Sequence, residues 1–148
     1  MNKNAFQAQD SLLFLSNRVG RLLANRMRKN PAMEAHALIP PDVAILADLW
    51  TQDGLRQQEL AVSKIKDKAA ISRMLDRLEE KEIVLRRADE ADKRMKRIYL
   101  TPKGYALQKE IWAEAEQLVE NTTAHIPRKD LEKCKKVLLS IYKQLINN

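Results

Sequence analysis

Residues 57–84, QQELAVSKIKDKAAISRMLDRLEEKEIV, read as two helices in quick succession. The first, over 57–63 (QQELAVS), is short and places Leu60 and Ala61 inward. Asp67 suits the N-cap of the second, over 67–81, because its carboxylate accepts an N–H that the first helical turn leaves unpaired. In that second helix Ile71, Met74, Leu75 and Leu78 recur three and four residues apart, an apolar stripe of helical period. Lys68, Ser72, Arg73, Asp76 and Arg77 occupy the other faces. An ordinary surface helix offers the same charges, since Arg73, Asp76, Arg77 and Glu80 can pair along the helix. The flanking segments discriminate.

Downstream, residues 83–87 (IVLRR) and 96–100 (KRIYL) are β-branched or aromatic runs joined by the charged ADEADKRM. They read as an antiparallel hairpin with a long polar tip. Thr101-Pro102 supplies an N-cap and a first-turn proline for a helix running to about residue 122. Leu107, Ile111, Leu118 and Val119 line one side of it. Pro127 restarts a last helix whose Leu131, Cys134, Leu138, Ile141 and Leu145 share one face. Upstream, Leu12, Leu15, Val19, Leu22 and Leu23 mark a first amphipathic helix over 10–29. Asn30-Pro31 ends it, because the residue before proline is pushed out of the α region. After a connector over 30–39, Pro40-Pro41-Asp42 opens a second helix that buries Val43, Leu46, Leu49 and Trp50 and stops at Asp53-Gly54. The expectation is one mainly α domain over 1–148, with six helices and one small antiparallel β-hairpin.

Short helices followed by a hairpin are the order of a winged helix-turn-helix. In such a unit the second helix of the pair enters the DNA major groove while the first braces it. That role falls to 67–81, braced by 57–63, within a unit spanning 40–101. Lys66 and Lys68 can reach phosphates, and Arg73 has the planar fork that pairs with guanine O6 and N7. Ala69 and Ala70 are small enough to approach thymine methyls. The apolar faces of 10–29 and 102–148 exceed what one such unit can bury, which points to a homodimer.

These stretches resemble the MarR family of bacterial transcription regulators. QQELAVSKIKDKAAISRMLDRLEEKEIV is similar to that family's helix-turn-helix, and DKRMKRIYLTPKG (92–104) to its wing and the entry into the following helix. The resemblance implies an obligate dimer on a pseudo-palindromic operator, a repressor relieved by a small-molecule effector held between the dimerisation helices and the winged unit. It implies reading-helix contacts at Lys68, Ala69, Ala70, Ser72 and Arg73; Arg77, on the same helix, and Lys93 of the wing are expected to contact DNA as well. It also implies a wing in which Arg94 enters the minor groove and Asp92 holds a neighbouring basic side chain. The chain departs from the family at four places. Lys93 stands where a wing arginine is usual, and an ammonium does not replace a planar fork. Arg56 stands where Ser or Thr commonly caps the brace. Glu82 replaces a glycine before the first wing strand. Ala69 and Ala70 replace hydroxyl residues.

Composition agrees with a binding role. The 148 residues carry 27 Lys or Arg against 20 Asp or Glu, a net charge of +7. Residues 56–97 hold thirteen basic and nine acidic side chains, so +4 of that excess lies in the middle third. A basic cluster is the electrostatic footprint of nucleic-acid binding. Three scattered glycines cannot form a phosphate-cradling loop. One cysteine makes no internal disulfide, and His36 and His125 lack ligand spacing, so no metal or other cofactor is expected. No nucleophile–base pair or paired carboxylates have recognisable spacing, so an enzyme is not expected. A cytoplasmic protein without a membrane span is expected. Cys134 reads as an inert buried thiol, and Trp50, Trp112 and Tyr105 as core or dimer residues. Two rivals remain: a winged-helix protein-interaction module, and an architectural DNA binder without sequence preference.

Overall fold

The computed structural model describes residues 7–147. Its elements in chain order are α1 (Leu12–Met27), α2 (Pro31–Ala35), α3 (Pro40–Thr51), β1 (Leu55–Arg56), α4 (Lys68–Glu80), β2 (Val84–Ala88), β3 (Lys96–Leu100), α5 (Pro102–Thr123) and α6 (Arg128–Ile146). The protein is mainly helical with one small antiparallel sheet, as the sequence implies. The core unites α2, α3, α4, the sheet and the first half of α5. Met33, Ile45, Leu46, Leu75, Leu78, Ile83 and Ile98 are fully buried there, with Leu107 and Ile111 closing it.

Three details differ from expectation. The connector contains a helix, α2, because Asn30-Pro31 both ends one helix and opens another. The Asn30 carboxamide oxygen accepts from the N–H groups of Ala32 (2.8 Å) and Met33 (3.2 Å), and Pro31 takes the first turn. The expected bracing helix over 57–63 is two 3₁₀ turns, Gln57–Glu59 and Ala61–Lys64, with Leu60 extended between them. Side chains here compete with a helical ladder. The Asp48 carboxylate accepts the Val62 N–H at 3.2 Å, and the Ser63 hydroxyl donates to the Leu60 carbonyl at 2.5 Å. Val62, rather than Ala61, joins Leu60 in the core. The hairpin also gains a third strand: β1 pairs with β3, giving the order β1-β3-β2.

The reading helix ends as a Schellman turn. The Ile83 N–H donates to the Leu78 carbonyl (3.0 Å) and the Glu82 N–H to the Glu79 carbonyl (2.9 Å). This closure puts its pivot at positive φ, and Glu82 sits there at +58°. The turn that a glycine would favour is therefore kept by a residue with a Cβ, and the Thr101 hydroxyl holds it by donating to the Glu82 carbonyl at 2.7 Å. Glu82→Gly is expected to stabilise the fold by about 0.5–1 kcal/mol, since it relieves the left-handed strain on an exposed residue. A urea midpoint that stays put or falls would contradict this. Against the same turn, a Cβ at Gly104 would lie 2.3 Å from the Ile83 carbonyl oxygen, so only glycine lets α5 start this close to the sheet.

Helices α1 and α6 have no buried residue among the described ones. Leu12, Leu13, Val19 and Leu22 on α1, and Val137, Leu138, Leu139 and Leu145 on α6, are open to solvent. Cys134, expected to be buried, is exposed because the stripe it belongs to has no partner within one chain. No helix among the described residues is long and apolar enough to cross a membrane.

Candidate nucleic-acid interface

The interface is built on α4. Its stripe Ile71, Met74, Leu75 and Leu78 is buried, which turns Lys68, Ala69, Arg73 and Asp76 outward. Asp67 caps the helix by accepting the Ala70 N–H at 2.7 Å. The preceding turn is tied in by Gln57, whose amide donates to the Lys68 carbonyl at 3.0 Å. Lys64, Ile65, Lys66 and Lys68 are all exposed at this end, so the N-terminal end of α4 presents three ammonium groups around one isoleucine. Ile65, which is 80% exposed, was not singled out by the sequence pattern because it falls in the turn between periodic segments.

Three of the expected contact residues are half-buried at the margins of this face. Ala70 is half-buried on a flank of α4. Arg77 is the second: its Nη2 donates to Asp42 Oδ1 at 2.6 Å, and Asp42 is buried at the start of α3. Asp42 accepts the Ile39 N–H as well, at 3.1 Å, so Arg77 holds a buried carboxylate that anchors α3 to α4. A buried carboxylate needs a charged partner, and this arginine, itself partly exposed, supplies it. Ser72 is half-buried where α4 meets the sheet, and its carbonyl accepts from Arg86 Nη2 at 3.2 Å. Arg86 also pairs with Asp76 (2.8 Å) and Glu79 (2.7 Å), which locks β2 against α4 and neutralises the acidic side chain on the outward face.

The wing extends from β2 and β3. Lys93 and Arg94 are exposed at its tip, and the Arg94 side chain is 91% accessible. Asp92 holds it: Oδ1 accepts from Arg94 Nε (3.1 Å) and from the Arg94 backbone N–H (3.1 Å), and Oδ2 from Nη2 (3.2 Å). The Arg94 hydrogen bonds keep the Asp92 carboxyl below its usual range. The neighbouring basic side chain held by Asp92 is thus Arg94 itself.

Sequence reasoning missed the base of the wing. Strand register sets Arg87 opposite Arg97 and Arg97 opposite Arg56, three arginines in a row across the sheet. Like charges directly opposite repel. Asp89, buried at the end of β2, resolves two of them: Oδ2 accepts from Arg56 Nε (3.2 Å) and Nη2 (3.0 Å) and from Arg97 Nε (2.5 Å). Its Oδ1 accepts the N–H groups of Ala91 (2.8 Å) and Asp92 (3.2 Å). The Ala91 N–H, then Arg56, hold this carboxyl far below the ordinary carboxylate range. Arg87 instead lies over the Tyr99 ring, 6.0 Å from its centroid. Arg56, the departure from a Ser or Thr cap, has its backbone N–H capped in return by Glu59 at 2.7 Å. Register was the signal that could have found this cluster, and it depends on the two-residue strand β1.

Above the winged unit, Trp50 Nε1 donates to the Gly104 carbonyl at 3.0 Å and the Tyr105 hydroxyl to Asp53 at 2.6 Å, which joins α3 to α5. A cleft of about 540 Å³ opens beside them, lined by Trp50, Thr51, Lys109, Trp112 and Glu116 among others. Trp112 is largely exposed on its wall.

Comparison with known proteins agrees with this architecture. The MarR family model matches residues 38–96, from just before α3 to the start of β3. The HTH-type transcriptional regulator MhqR of Bacillus subtilis (strain 168) is 24% identical over 127 residues, 86% of each chain. Among solved structures, a MarR-family transcriptional regulator from Rhodococcus sp. RHA1 superposes with a TM-score of 0.81 at 25% identity, over 93% of this chain and 96% of that one. CouR from Rhodococcus jostii RHA1, solved with p-coumaroyl-CoA bound, gives 0.76 at 26% identity, with the same shares covered. A braced reading helix, a basic wing and likeness along nearly the whole chain converge: residues 38–96 match the MarR family model, and the whole fold is similar to that of MarR-family transcriptional regulators.

Proposed function

We propose that the protein acts as a homodimeric, sequence-specific repressor on a pseudo-palindromic operator and that a small molecule releases it. The observation that carries the reading is the outward face of α4. It offers short side chains and a guanidinium beside a basic wing, the chemistry of base-edge contact in a major groove. Lys66 and Lys68 contribute phosphate contacts, Ala69 and Ser72 close approach, and Arg73 a bidentate contact to guanine. Ala70 and Arg77 serve α4 from its flanks, while Lys93, Arg94 and Asp92 form the wing's contact. Apart from Ile65, which stands among lysines, the described residues of this face expose no large apolar side chain, as a protein-docking face would.

The domain assignment follows the same division. Residues 40–101 carry the DNA-binding unit, and 10–29 with 102–148 carry the dimer contacts. The cleft beside Trp50 and Trp112 supports the effector step, because about 540 Å³ falls within the usual size of small-molecule sites. CouR, which was solved with p-coumaroyl-CoA bound, is a relative in which a small ligand is seated on this fold.

Paired substitutions test the reading. Arg73→Ala is expected to cost about 1–3 kcal/mol on the favoured duplex and little on random DNA, so base discrimination relaxes. Lys68→Ala is expected to weaken both alike and flatten the fall of affinity with salt. Fluorescence anisotropy on both duplexes, across a salt series, measures this. Equal losses for Arg73→Ala on the two duplexes would reduce Arg73 to a phosphate contact and favour a binder without sequence preference.

A further inference from the structure

We propose that Asp89 is the positioning residue of the wing, fixing the Arg94 head to the base of the sheet through Arg56 and Arg97. The inference rests on the reading of Arg94 as the group that enters the groove. Its observations lie one layer further in. The tip between β2 and β3 has its own closure, with the Asp89 N–H donating to the Met95 carbonyl and the Met95 N–H to the Asp92 carbonyl, both at 2.9 Å. That closure shapes the tip but does not set its angle to the sheet. The Asp89 carboxylate does both jobs with separate oxygens. Oδ1 takes the backbone N–H groups of Ala91 and Asp92, and Oδ2 takes the two guanidinium groups.

Each arm then continues to a different place. Through the Asp92 backbone the first arm reaches the residue whose carboxylate grips Arg94. The second arm reaches β1 and the first 3₁₀ turn. Arg97 Nη1 donates to the Gly54 carbonyl at 2.7 Å, and Arg56 belongs to β1, whose next residues form the Gln57–Glu59 turn. Gln57 in that turn holds the Lys68 carbonyl at the start of α4. A chain of hydrogen bonds therefore runs from the start of the reading helix to the wing tip, with Asp89 as its only buried carboxylate among the described residues of the wing. Helix and wing must meet adjacent grooves at once, and preorganised geometry removes the ordering cost at binding.

Asn at position 89 separates the two arms. Its carbonyl oxygen can still accept from Ala91 and Asp92, so the tip turn survives. Its NH₂ group faces two guanidinium donors and cannot accept from them. The test is a double-mutant cycle on the tightest genomic duplex selected with the unmodified protein. Asp89→Asn is expected to weaken binding about fivefold or more, and less than about twofold when Arg94 is already alanine. The preference of Arg73 for its base should stay intact. Arg56→Gln removes the tie from the other side and is expected to show the same dependence on Arg94, which keeps the test decisive if Asp89→Asn does not fold. A loss of equal factor in both backgrounds means general destabilisation and overturns the proposal, as does parent-like binding of Asp89→Asn. Parent-like binding of Arg94→Ala alone removes the wing reading itself, and the proposal with it.

Discussion

Replacing Leu22 on α1 and Leu145 on α6 with glutamate is expected to convert a dimer of about 34 kDa, twice the 17.1 kDa chain, into a monomer. Both leucines are more than 60% exposed in the single chain, on helices without a buried residue among the described ones. Monomeric proteins rarely leave apolar surface of this extent in contact with water. In the proposed dimer a second copy covers it, and a glutamate there would bring an unpaired carboxylate into the contact, at a cost that exceeds what a surface substitution incurs. The effect on DNA should be larger still. A dimer binds two half-sites with the second contact made intramolecularly, so losing the dimer should cut affinity for a full site by about 10²- to 10⁴-fold. Light scattering and anisotropy on the same samples check both statements. An unmodified protein that is monomeric at micromolar concentration would contradict the assembly outright.

Arg94→Ala is expected to lower affinity for the operator at least about tenfold while leaving the dimer and its melting temperature nearly unchanged. Its side chain is 91% exposed and its hydrogen bonds go to Asp92, two residues away, so the fold loses little when it goes. A narrow A·T-rich minor groove concentrates negative potential, and an inserted guanidinium gains from it without reading a unique base pattern. Part of the loss should therefore follow the A·T content flanking the half-sites. Asp92→Ala should act in the same direction but more weakly, since Asp92 orients Arg94. Binding equal to the parent at physiological salt would mean the hairpin is not a DNA-contacting wing, and the interaction-module reading would lead.

The long elements were legible because their periodicity is sustained. The stripe Ile71–Met74–Leu75–Leu78 located α4, and Thr101-Pro102 located the start of α5, with Thr101 accepting the Gly104 N–H at 3.1 Å. What escaped was short or long-range. Two residues of β1 carry no period, and yet they bring Arg56 opposite Arg97. The brace looked helical from Leu60 and Ala61, but Asp48 and Ser63 draw its backbone groups into 3₁₀ turns. The Arg77–Asp42 pair escaped as well, because Asp42 lies 35 positions earlier and no local pattern links the two. Cys134 followed a stripe that is real, although one chain cannot cover it. The wing tip was read correctly as polar, while the buried Asp89 within ADEADKRM was indistinguishable from the exposed Glu90 and the half-buried Asp92 until the register was known.

Selection of genomic DNA fragments by the purified, full-length protein tests the account most directly. The account predicts one recovered motif, a pseudo-palindrome whose half-sites lie about one helical turn, roughly 34 Å, apart, with A·T-rich sequence where the wings reach the minor groove. Recovery of fragments with no shared motif, or of an isolated half-site bound as tightly as the pair, would contradict it.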